Sequence, residues 1–147
     1  MKKIETKIVI NAPIDFVWNA LMDFENHPNW NPFIKHISGN TSKNSKLQVH
    51  ISPDGNKLFK FNPVVISNQP PFEFKWLGKF LVKGLFDGEH YFMLNKMNEK
   101  ETLLTHGENF SGIFIYLSSN MLKDTEKGFE KMNIALKKYC ERQFLNE

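Results

Sequence analysis

Cysteine is almost missing from this chain: Cys140 is the single one in 147 residues. No intramolecular disulfide can form, so packing and hydrogen bonds must hold the fold, and a cytoplasmic location is the expectation. Neither a CxxC nor an HExxH spacing occurs. That argues against the common zinc patterns, and no metal and no cofactor is expected. An excess of one charge is missing too. Nineteen Lys and Arg face 16 Asp and Glu, a formal +3, and the basic residues are scattered. A nucleic-acid partner is therefore not expected. Long hydrophobic runs are lacking: residues 113–117 form the longest clearly apolar run of the C-terminal half. A bilayer needs about 20 such residues, so no stable membrane insertion is expected. The opening Met1-Lys2-Lys3-Ile4-Glu5 leads into strand-like sequence with no apolar core of a signal peptide, so none is expected. No repeat or low-complexity linker is visible, and residues 1–147 read as one domain.

Phenylalanine is abundant, at 14 residues. Phe buries a large area and has no polar atom to satisfy, so this number implies a thick core or an aromatic-lined cavity. The first strand is legible at Lys3–Ile10, where Ile4, Thr6, Ile8 and Ile10 alternate with charged residues. Asn11-Ala12-Pro13 reads as a helix start with Asn11 as cap. That helix carries Val17, Trp18, Leu21 and Met22 and should end before His27-Pro28. Residues 26–32 then read as a stiff loop holding Trp30. Strands are expected at about Ile34–Ser38, Leu47–Ser52, Leu58–Ile66, Phe72–Phe80, Phe86–Met97 and Glu101–Ser111, separated by turn sequences such as Pro53-Asp54-Gly55-Asn56. Near Leu117 the period changes. Leu122, Thr125, Phe129, Met132, Leu136 and Tyr139 recur at three and four residues, a helical stripe over about Ser118–Phe144. The order is one strand, a short helix, six strands and a long helix, which gives an α+β fold.

Side chains alternate across a strand, so the inward sets can be read off. Phe72, Phe74, Trp76 and Phe80 share a face; so do Phe86, His90, Phe92 and Leu94; so do Leu104, His106, Glu108 and Phe110. Three ionisable groups, His90, His106 and Glu108, thus sit on faces of bulky apolar residues. A turn centred near Lys83 pairs Trp76 with His90. Two registers remain open at the next hairpin, one facing His90 with His106 and one facing it with Glu108. Each gives a polar band across adjacent strands. Such a band is either a satisfied piece of core or the polar anchor of a ligand site, because burial of an unpaired charge is costly.

These residues carry a resemblance. The opening IETKIVINAPIDFVWNALMDFENHPNWNPFI and the run FKWLGKFLVKGLFDGEHYFML followed by TLLTHGENFSGIF resemble the START/Bet v 1-like superfamily, and within it the SRPBCC proteins of polyketide cyclase/dehydrase type. The resemblance implies a helix-grip fold, a seven-stranded curved antiparallel sheet wrapped around the long C-terminal helix. It also implies a cavity between sheet and helix for a small hydrophobic molecule such as a lipid or polyketide, with the protein acting as carrier or sensor. The ligand-binding residues expected in such a cavity, from the inward faces, the helical stripe and the aromatic loop read above, are Trp30, Phe74, Trp76, His90, Phe92, His106, Glu108, Phe110, Phe129 and Met132. The alternative is a cofactor-independent cyclase, dehydratase or hydrolase that uses His90, His106 and Glu108 as acid and base. No covalent nucleophile is apparent, no catalytic residue is assigned, and a monomer or weak homodimer is expected.

Overall fold

A computed structural model of the chain describes residues 2–79, 87–112 and 119–146. Strand β1 (Lys2–Ile10) is followed by helix α1 (Ile14–Met22), a single 3-10 turn and the one-turn helix α2 (His27–Trp30). Then come β2 (Ile34–Gly39), β3 (Leu47–Ile51), β4 (Phe59–Phe61), β5 (Val64–Gln69), β6 (Glu73–Lys79), β7 (Asp87–Asn98) and β8 (Glu101–Ser111), and finally α3 (Ser119–Leu145). The expected ends of two strands at Phe80 and Phe86, the turn near Lys83 and the onset of the last helix at Ser118 lie outside the described residues.

The described strands number eight, not seven, and form two antiparallel sheets. One has the order β1-β8-β7-β6-β5 and the other β2-β3-β4. The extra strand arises at Asn62-Pro63. Proline has no N–H for the ladder, so the single strand expected over Leu58–Ile66 breaks into β4 and β5, one in each sheet. The sheets are sewn together at this break. Leu47 N–H donates to the Pro63 carbonyl at 2.8 Å, and Val65 N–H donates to that of Ser45 at 2.9 Å.

The entry to α1 also differs from expectation. The helix starts after Pro13 with no side-chain cap. Asn11 instead gives its backbone N–H to the Glu141 carboxylate on α3 at 2.9 Å. Residues 27–30 form a helical turn rather than a loop. His27 adopts α geometry although a proline follows, because its buried ring is held at both ends. Its Nε2 bonds the Leu21 carbonyl at 2.7 Å and its Nδ1 bonds the Asn31 amide at 3.0 Å. Asn31 Oδ1 in turn accepts the N–H groups of Phe33 and Ile34, both at 2.9 Å. This clamp turns the chain and aims Phe33 at the core.

Helix α3 seals the inner face of the larger sheet. Leu122, Thr125, Phe129, Met132, Leu136 and Cys140 are buried along its stripe. Tyr139, expected on the same stripe, is only partly buried and stacks on Trp30 at 5.8 Å between ring centres. Gly128 gives room beside Phe129, since a Cβ there would lie 2.6 Å from the Phe33 ring. Phe33 therefore reaches the helix and meets Phe129 edge to face at 5.2 Å. Phe129→Ala should lower unfolding free energy by about 3–5 kcal/mol in denaturant titrations, because the ring is fully buried. A loss below about 1 kcal/mol would mean that the helix does not close this face.

Candidate functional site

Strand register decides which inward groups meet. The β6–β7 pairing sets Trp76 opposite His90, as the sequence indicated. Of the two registers open for β7–β8, the chain takes the one that sets His90 opposite Glu108 and Phe92 opposite His106. Both imidazoles still meet, across the diagonal. His90 Nε2 and His106 Nε2 lie 2.8 Å apart, and His90 Nδ1 lies 2.9 Å from Glu108 Oε1. All three point inward: His90 and His106 are 2% and 0% exposed, and Glu108 is 7% exposed.

The band does not stop at these strands. His106 Nδ1 bonds Asn133 Oδ1 on α3 at 2.8 Å. The Asn133 amide nitrogen donates to Thr6 Oγ1 on β1 at 2.8 Å, and that hydroxyl donates to the His106 carbonyl at 2.8 Å. Sequence reasoning placed Thr6 on the inner face but gave it no role, and it missed Asn133. The signal for Asn133 was a polar residue four positions after Phe129, on the face of the buried stripe.

The positions of the hydrogens follow from the chain of contacts. Thr6 has one hydroxyl hydrogen, and it lies toward the His106 carbonyl. Toward Asn133 the hydroxyl only accepts, so the amide NH2 faces Thr6 and the amide oxygen faces His106. His106 therefore donates from Nδ1 and, being neutral, accepts at Nε2. His90 donates to it from Nε2 and accepts at Nδ1. The hydrogen between His90 and Glu108 then belongs to the carboxyl group. At 2.9 Å this contact has the length of an ion pair. Burial agrees with the neutral form on both sides. It holds His90 down to about 3 and His106 well below the ordinary value, and it pushes Glu108 up to about 8. Every nitrogen of the two imidazoles is engaged in these bonds, so the trio in this arrangement offers no open pair of histidine ligands to a metal.

Aromatic rings enclose the band. Trp76 stacks on His90 at 4.6 Å and 19°, and Phe129 stacks on His106 at 4.2 Å and 18°. Phe92 covers His106 at 4.5 Å, and Phe33 lies over His90 at 6.4 Å. Phe74 meets Trp76 edge to face at 6.1 Å. Phe110 and Met132 are buried in the same core. Trp30, also singled out from sequence, packs partly buried against this core, with His27 and Tyr139 among its ring neighbours. Its side of the molecule carries a surface groove of about 420 Å³ between α1 and α3, lined by Phe16, Asn19, Ala20, Asp23, Tyr139 and Gln143.

Gly88 makes the outer end of the band possible. A Cβ at this position would overlap Glu108 Oε2, so the carboxyl group lies across the backbone where a side chain would otherwise stand. Among the described residues no hydrogen bond reaches Oε2.

Antiparallel strands gripping one long helix define the class of helix-grip proteins. Many solved structures share the arrangement, and three of them illustrate it. A START superfamily protein from Mycobacterium smegmatis superposes with a TM-score of 0.78 at 18% identity, over 96% of this chain and 98% of that one. The Zhui aromatase/cyclase from Streptomyces sp. R1128 gives 0.77 at 13% identity, over 97% and 94%. A norcoclaurine synthase point mutant from Thalictrum, in complex with a transition-state analogue, gives 0.73 at 11% identity, over 97% and 95%. Comparison with curated proteins gives no match. Residues 1–96 match the family described as polyketide cyclase / dehydrase and lipid transport, and the chain belongs to it. Among the described residues no helix is long and apolar enough to cross a membrane.

Protonation of the band sets a pH dependence. Between about pH 4.5 and about 8 the folded chain keeps the Glu108 proton and the unfolded chain loses it, so this group's stabilisation fades as pH rises through that window. The buried His27, His90 and His106 act in the opposite sense. Below about 6.5 the unfolded chain takes up protons that the fold refuses, so stability falls on acidification. Three histidines outweigh one carboxyl there. Unfolding free energy should peak near pH 6.5 and decline toward pH 8 by up to about 1.4 kcal/mol per unit. Glu108→Gln should flatten the alkaline limb. A flat limb in the parent protein would mean that Glu108 is ionised in the fold.

Proposed function

We propose that this protein binds a small, largely apolar molecule with one polar group, and serves as its carrier or sensor. The observation that carries the reading is a hydrogen-bonded chain buried among aromatic rings, satisfied by Thr6 at its inner end and with Glu108 Oε2 unbonded among the described residues at the other. Apolar walls with a few convergent polar atoms are what small-molecule sites use. Trp76, Phe74, Phe92, Phe110, Phe129 and Met132 supply apolar surface in this reading, and Glu108 with His90 holds the polar end. Membership in a family whose description includes lipid transport supports it.

A second reading is acid–base catalysis of cyclase or dehydratase type. The observation that favours it is a carboxyl group pushed up to about 8 by burial, so that Glu108 still holds a proton at neutral pH. For donation the Glu108 carboxyl would turn its O–H from His90 Nδ1 toward a leaving or carbonyl oxygen, and a proton from solvent would restore it.

Native mass spectrometry of freshly purified protein, followed by extraction, tests both readings. A carrier should show an added mass of a few hundred daltons that extracts unchanged. An enzyme should convert an added substrate with a rate that follows the protonated fraction of Glu108. His106→Phe breaks the band at its centre and should weaken uptake of polar-headed ligands by about tenfold, which corresponds to one lost hydrogen bond. Circular dichroism on the same variant reports whether the fold survives. Unchanged uptake in a folded His106→Phe protein would assign the band to stability alone.

A further inference from the structure

The direction of the hydrogen-bond chain says what kind of polar group it accepts. We infer that the site selects a ligand bearing a hydrogen-bond donor, a hydroxyl or an amine, and rejects a carboxylate. This rests on the ligand reading above and specifies its chemistry.

Three observations lead to it. First, the hydrogen shared by Glu108 and His90 lies between Oε1 and Nδ1, 2.9 Å apart. Whether it sits nearer the oxygen or the nitrogen, Oε2 carries none and presents lone pairs only. Second, the polarity is locked from the far end. Reversal of the chain would turn the Asn133 amide and withdraw the Thr6 hydrogen from the His106 carbonyl, leaving two oxygens 2.8 Å apart with nothing between them. Third, Oε2 occupies the place of the missing Gly88 side chain, and Glu108 is more exposed than either histidine. It is the outermost acceptor of a band whose other atoms are engaged. A ligand hydroxyl or amine gives Oε2 the hydrogen it lacks. A ligand carboxylate sets lone pair against lone pair in surroundings of low polarity, where that repulsion is weakly screened. Among the described residues no lysine or arginine bonds Glu108, His90 or His106 to offset it.

The test uses the full chain at pH 7 and three probes of one shape: 2-naphthol, 2-naphthoate and naphthalene. Affinity is read by calorimetry and by quenching of tryptophan fluorescence. The expected ranking is 2-naphthol tightest, by about tenfold over naphthalene, with 2-naphthoate weakest. Glu108→Leu should bring the naphthol-to-naphthalene ratio toward one. Glu108→Gln should keep it, because its amide NH2 can donate to His90 Nδ1 while its carbonyl takes the place of Oε2. Naphthoate binding as tightly as naphthol, or a naphthol advantage that persists in Glu108→Leu, overturns the inference and leaves the ligand reading standing. No binding of any probe overturns both. The ranking on the unmodified chain decides the matter even where a variant does not fold.

Discussion

Two oxygens 2.8 Å apart need a hydrogen between them, and Thr6 and the His106 carbonyl meet that need with the only hydrogen the hydroxyl has. From this contact the direction of each following bond is set: the amide of Asn133, the tautomer of His106, the Nε2 hydrogen of His90 and the hydrogen shared by His90 and Glu108. The chain runs through β1, α3, β8 and β7, so the helix and three neighbouring strands share one polar core element. Neutral partners, each engaged in at least one of these bonds, make such burial tolerable, where unpaired charges would be costly. Unlike the apolar contacts around it, this network specifies an orientation of α3, because Asn133 reaches both His106 and Thr6 from one rotational setting of the helix.

The two faces of the larger sheet treat the same residue type in opposite ways. Glu5, on the outer face of β1, accepts a hydrogen bond from the Tyr91 hydroxyl at 2.7 Å and lies beside Lys3 at 3.2 Å. These partners, Tyr91 foremost, hold its carboxyl below the ordinary range. Glu108, on the inner face of β8, is pushed the other way by burial. Residue parity along the strands separates the two fates, and a slip of one residue would exchange them. Aromatic enclosure completes the inner environment. Phe33 arrives from the clamp at His27 and Asn31, Phe129 from α3, and Trp76 and Phe92 from the sheet, and together they surround the imidazole pair.

Much of this was legible in the sequence because period alone determines it. Alternation in β1, β6, β7 and β8 gave the inner faces, and spacing at three and four residues gave the α3 stripe. The pairing of Trp76 with His90 could be placed, and the meeting of His90, His106 and Glu108 was expected from their shared parity. Other features depend on contacts between distant segments, which no local pattern carries. Asn133 looked like an ordinary helical polar residue until Thr6 and His106 were brought to it, 127 and 27 residues away in the chain. His27 overrode the usual effect of a following proline because both its nitrogens found partners. The break at Asn62-Pro63 was written in the sequence, since a proline inside a strand is a boundary signal, but the apolar residues on both sides of it read as continuous.

Gly88 and Glu108 occupy neighbouring strands and compete for one volume. With glycine at 88 the carboxyl group has its place; a Cβ at 88 would overlap Oε2 and oblige the carboxyl group to shift from it. The two positions are therefore sterically coupled. A side chain at 88 fits once 108 is something shorter, whereas beside the acid it meets a steric conflict at the outer end of the polar band. Their effects on the fold are not additive. A carboxyl group held in this place requires the glycine beside it.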